Sequence, residues 1–147
     1  MKKIILSVFI GCLLILGCSS CGVDVDRGYG TYYTYINHTA STITIECYYG
    51  NAPFDEVVNP DDLYKTLIIL PGEENTLRLY GMGFFLPLEQ GIDYLQVTNE
   101  KVKIFDDGGT DNSLLKEETY ILSSESEYRR YYEYTFTEDY FKNGIPF

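Results

Sequence analysis

Residues 41–49 alternate without a break: Ile43, Ile45, Cys47 and Tyr49 fall on one side, and Thr42, Thr44, Glu46 and Tyr48 on the other. Successive side chains of a strand point to opposite faces, so a period of two marks a strand with one face buried. Residues 31–37 repeat the pattern, with Tyr33 and Tyr35 against Tyr32, Thr34 and Ile36. In 76–80, Leu77 and Leu79 share a face. After the first 28 residues no long stretch repeats apolar residues at helical spacing. The 15 tyrosines and 8 phenylalanines, with no tryptophan, add side chains that favour strands.

Turn chemistry divides the rest. Asn37-His38-Thr39 predicts a hairpin between 31–37 and 41–49, and Pro71-Gly72-Glu73-Glu74 predicts a second between 63–70 and 76–80. Two short strands, 94–98 and 101–105, flank Asn99-Glu100, and 128–137 reads as a long strand. Residues 114–122 fit a helical turn or a strand. The apolar run 84–88 contains Pro87 and is at best an edge. Thr137 is placed to cap a short helix whose first turn holds Glu138 and Asp139. Short strands separated by turns predict an all-β fold, a β-sandwich of about seven strands, loosely immunoglobulin-like, with a short C-terminal helical turn.

The N-terminal stretch has a different character. Lys2 and Lys3 precede residues 4–16, which carry no charged side chain. That run suits the apolar core of a secretory signal and is shorter than the roughly 20 residues a spanning helix needs. Ile15-Leu16-Gly17-Cys18 then resembles the bacterial lipobox: an aliphatic residue, a tolerant position, a small residue and a cysteine. The resemblance implies cleavage before Cys18, a diacylglyceryl group on its sulfur and acylation of the freed amine. Two or more acyl chains anchor a protein stably where one does not. The expected organisation is a signal peptide over 1–17, a lipidated cysteine and flexible tether over 18–28, and a single β-sandwich domain over 29–147. No cofactor is expected beyond the covalent lipid on Cys18. Asp24 and Asp26 weakly resemble the acidic surface-export signal of Bacteroidota lipoproteins, which leaves the choice between periplasmic and outward face open.

Charge narrows the partners. The chain has 22 acidic and 11 basic residues, a net charge of −11 that becomes about −13 once Lys2 and Lys3 are removed. Such a chain repels nucleic acid and anionic head groups. Of the four cysteines, Cys12 lies in the leader and Cys18 takes the lipid. Cys21 and Cys47 could pair in an oxidising compartment, or Cys47 could be a small buried hydrophobe.

Chemistry-bearing residues are sparse. His38 is the only histidine and lacks partners at metal-ligand spacing. No Gly-x-Ser-x-Gly elbow or glycine-rich phosphate loop occurs, and paired acids such as Glu73-Glu74 read as solvated turns. Asp106, Asp107, Asp111 and Asn112 form the one weak calcium candidate, although their spacing does not follow the EF-hand loop. Tyr32, Tyr33 and Tyr35, with Tyr131, Tyr132 and Tyr134, form the candidate binding face. They read either as a structural ladder between neighbouring strands or as an amphipathic surface for protein or glycan.

Two short segments, Lys103-Ile104-Phe105-Asp106-Asp107-Gly108 and Tyr134-Thr135-Phe136-Thr137-Glu138-Asp139-Tyr140, are similar to those of small outer-membrane lipoproteins of the Bacteroidota with no assigned activity. That similarity implies an outer-membrane location and carries over no functional residue. The expected function is a non-enzymatic binding or accessory module on the outer membrane. The alternatives are a lipid-tethered hydrolase using loop carboxylates and a periplasmic immunity or chaperone-like protein.

Overall fold

The computed structural model describes residues 29–50, 58–81 and 91–147. The lipobox, Cys18, Cys21, the tether and the apolar run at 84–88 lie outside the described residues. Among the described residues nine strands form two sheets: β1 (Gly30–Asn37), β2 (Ile43–Tyr49), β3 (Leu63–Ile69), β4 (Glu74–Tyr80), β5 (Ile92–Thr98), β6 (Val102–Asp106), β7 (Ile121–Glu125), β8 (Arg129–Phe136) and β9 (Ile145–Pro146). One sheet has the order β4-β1-β8-β7 and the other β3-β2-β5-β6-β9. Residues 114–122 hold both expected forms, a 3-10 turn at Glu117–Thr119 and then β7. A 3-10 turn at Glu138–Phe141 follows Thr137, whose side chain makes no capping hydrogen bond.

All seven expected strands are present, but the two expected hairpins are not. β1 pairs antiparallel with β4 and parallel with β8, while β2 lies in the other sheet between β3 and β5. β3 and β4 likewise belong to opposite sheets. Both short connections therefore cross the sandwich. The reason is visible at Asn37, whose side chain is fully buried. Its Nδ2 donates to the carbonyls of Ser41 at 2.8 Å and Ile69 at 3.0 Å, and its Oδ1 accepts from Thr39 N at 2.8 Å and Thr39 Oγ1 at 2.7 Å. Its backbone N–H donates to Glu73 O, and its own C=O accepts from Gly72 N. One residue thus stitches both crossings together. Gly72 has φ of 76°, which a glycine adopts at no steric cost. The two short strands about Asn99-Glu100 do form a hairpin: β5 and β6 pair antiparallel, with Thr98 opposite Lys103 and Leu95 opposite Asp106.

The core lies between the sheets. Ile43, Ile45 and Cys47 of β2, Leu67 and Ile69 of β3, and Leu77 and Leu79 of β4 meet Leu95 and Val97 of β5. Inward tyrosines supply the rest. Tyr33 stacks on Tyr132 at 5.5 Å, and Tyr120 packs edge-on against both. Their polar ends are satisfied: Tyr120 donates to Leu114 O at 2.8 Å, and its hydroxyl lies 3.0 Å from that of Tyr35. Cys47 carries a free thiol 1% exposed, as the reading of it as a small hydrophobe expects. Burial pushes that thiol up to about 12.

Candidate functional site

Alternation divides the six candidate tyrosines. In the parallel β1–β8 register Tyr32 faces Tyr131, Tyr33 faces Tyr132 and Tyr35 faces Tyr134. Tyr33, Tyr35 and Tyr132 are buried in the core, and Tyr134 packs against it. A binding face made of all six is therefore corrected to two residues, Tyr32 and Tyr131, on the outer side. The remaining four form the structural ladder, because residues one apart in a strand cannot share a face.

On the outer side, Tyr32 and Tyr131 stack with centroids 4.7 Å apart and planes 15° from parallel. The register with β4 places Arg78 opposite Tyr32. Its guanidinium carbon lies 5.2 Å from the Tyr32 ring and 4.3 Å from the Tyr80 ring, within cation–π range of both. The result is a continuous row, Tyr131–Tyr32–Arg78–Tyr80, across three strands. Tyr80 is 56% exposed, whereas the other three are half-buried by one another. Beyond the end of the sheet Tyr29 and Tyr128 pack edge-on at 5.3 Å, both exposed. Arg78 and Tyr80 were legible as outward residues from the alternation with Leu77 and Leu79. The contact of Arg78 with Tyr32 needed the β1–β4 pairing, which the turn at Pro71-Gly72 concealed.

The other sheet has an aromatic run on its outer side as well. Tyr48 stacks on Tyr94 at 5.0 Å and 4°, and Tyr94 meets Phe105 at 5.1 Å. Glu46 Oε2 accepts from Tyr48 OH at 3.1 Å and from Gln96 Nε2 at 2.9 Å. Tyr48 and Tyr94 are 3% and 1% exposed, so this run is not presented to solvent.

Two of the four calcium candidates, Asp106 and Asp107, accept backbone N–H groups of their own loop. Asp106 is 4% exposed, and both carboxylate oxygens accept backbone N–H groups, Oδ1 from Gly108 at 3.1 Å and Oδ2 from Leu114 at 2.6 Å. Asp107 Oδ1 accepts from Gly109 N at 2.9 Å. Asp111 and Asn112 are exposed. Among the described residues no three His, Cys, Asp or Glu side chains are grouped to hold a metal ion. Asp106 shapes the loop that returns the chain to the buried Leu114.

The same loop walls a cavity of about 340 Å³. Lys103, Phe105, Asp111 and Asn112 line one side, and Asp139 and Asn143 come from the C-terminal segment. Asp139 Oδ1 is 2.7 Å from Lys142 Nζ. His38 is exposed in the crossing after β1, where its N–H donates to Phe136 O. No family model matches the sequence, and no curated protein or solved structure matches it either.

Proposed function

We propose that the chain is a lipid-anchored, non-enzymatic binding or accessory module of the outer membrane, attached through Cys18, with the outer side of the β4-β1-β8-β7 sheet as its contact surface. The observation that supports this reading is the Tyr131–Tyr32–Arg78–Tyr80 row. Tyrosine and arginine are enriched at interface centres because they offer large, rigid contact area with a polar tip. The row holds its side chains in place before a partner arrives, which lowers the ordering cost of binding. The partner is a protein or a glycan.

The hydrolase reading would draw on Asp106, Asp111 and Asp139 around the cavity. It is the weaker one, since Asp106 is committed to two backbone amides and Asp139 to Lys142.

Two measurements test the proposal. Labelled palmitate should enter the wild-type chain and be lost in Cys18→Ala; continued labelling of that variant removes the anchor. In-cell crosslinking should then recover an envelope partner with the wild type and lose it in Tyr32→Ala/Tyr131→Ala. Equal recovery from both would move the contact surface elsewhere.

A further inference from the structure

The cavity beside β6 is a gap in a sheet edge. β9 pairs only with Val102 and Lys103, so among the described residues no strand flanks β6 beyond that point. Phe147 N donates to Lys101 O at 3.2 Å, which turns the backbone of Lys101 toward the β9 side. The two-residue period of an antiparallel ladder turns Phe105 the same way. The Phe105 N–H and C=O therefore face the cavity, and its volume of about 340 Å³ falls within the range of small-molecule sites.

The walls define the chemistry of an occupant. Asp111, Asn112 and Asn143 offer planar carboxylate and amide groups, each able to bond two neighbouring hydroxyls. Phe105 and Tyr140 also belong to the lining. Charge is slightly negative: Asp106, Asp111 and Asp139 stand against Lys103 in the wall and Lys142 on Asp139, and the two backbone amides on Asp106 stabilise its carboxylate without cancelling its charge. A neutral, polyhydroxylated ring satisfies such walls, and an anionic sugar does not. An extended peptide fits less well, because it needs several backbone pairs and the cavity offers only that of Phe105 before the Asp106–Gly108 turn begins.

We infer that this cavity binds one neutral sugar residue, held by the Phe105 backbone and by the side chains of Asp111, Asn112 and Asn143. The site is on the opposite sheet from the tyrosine row and does not depend on it.

The test uses the full chain purified from membranes in a non-glycosidic detergent. The probes are methyl glycosides of glucose, galactose, mannose and N-acetylglucosamine, with glucuronate and tri-alanine as comparators, read by saturation-transfer NMR and calorimetry. At least one neutral glycoside should bind. Asp111→Ala and Asn143→Ala should each weaken it about tenfold, the size expected for a lost charged or multiple hydrogen bond. Both residues are exposed, and circular dichroism verifies that the variants fold. Tyr131→Ala should bind the sugar as the wild type does, which separates this site from the proposed partner surface. The inference is overturned if none of the four glycosides binds, if both cavity variants bind normally, or if glucuronate or tri-alanine binds more tightly than every neutral glycoside.

Discussion

Asn37 illustrates how one side chain can decide a connection. It makes four side-chain hydrogen bonds, and all its partners are buried or at the sheet crossing. Asn37→Ala removes the donor to the Ile69 carbonyl, one of the two donors to the Ser41 carbonyl and the acceptor of the Thr39 N–H, and the expected loss is about 2–4 kcal/mol. Asn37→Asp should cost at least as much, since its carboxylate would turn acceptors toward two carbonyls. Urea denaturation measures both, and a loss under 1 kcal/mol in both would remove Asn37 from this role. The sequence presents Asn37-His38-Thr39 as turn residues; Asn37 ends β1, and His38 and Thr39 begin the connection. Whether the turn closes a hairpin or crosses a sandwich depends on Ile69, 32 positions away, and no local pattern carries that.

Strands were the most legible elements because the alternation is strong. Inward Tyr33 and outward Tyr32 are neighbours in β1 and follow directly from a period of two. Their energetic difference should be large. Tyr33→Ala opens a cavity in the core and should cost about 3–5 kcal/mol. Tyr32→Ala removes a stack with Tyr131 and a contact with Arg78, and should cost about 0.5–1.5 kcal/mol. Similar costs for the two in thermal unfolding would contradict the assignment of faces. Strand partners were less legible. Pro71-Gly72 provides the same backbone chemistry for β3 and β4 whether they pair or part, and the parallel β1–β8 ladder has no turn to announce it. The Tyr131–Tyr32–Arg78–Tyr80 row was half visible for this reason: each member faces outward by alternation, but the row exists only through two long-range pairings. The short β9 went unseen because Pro146 reads as a terminator, although an edge strand tolerates it.

At the scale of the molecule, the aromatic interior makes stability depend on alkaline pH. Burial, and then a hydrogen bond to Glu117, pushes the Tyr132 phenol up to about 12. Burial also raises Tyr35, Tyr120 and Tyr140 above the ordinary tyrosine value, and Cys47 to about 12. These groups keep their protons in the folded chain after the unfolded chain has released them. The folded state then binds more protons, so stability falls as pH rises. Their contribution is complete below the unfolded values, near pH 9 for the thiol and 10 for the phenols, and is lost as pH climbs toward about 12. Tyrosinate absorbance and circular dichroism followed together should show the buried phenols ionising as the strand signal disappears. Full ionisation near pH 10 with the fold intact would refute it.

The parallel ladder between β1 and β8 has a consequence in time. A chain that crosses a membrane N-terminus first delivers β1 early and β8 late. Until β8 arrives, β1 can pair only with β4. Contacts so distant in sequence form slowly, so the β1–β8 ladder closes late. On the proposed export route the chain would cross before this ladder closes, and a copy cut short before residue 129 would leave β1 without one of its two neighbours. The last long strand thus acts as a check on completeness.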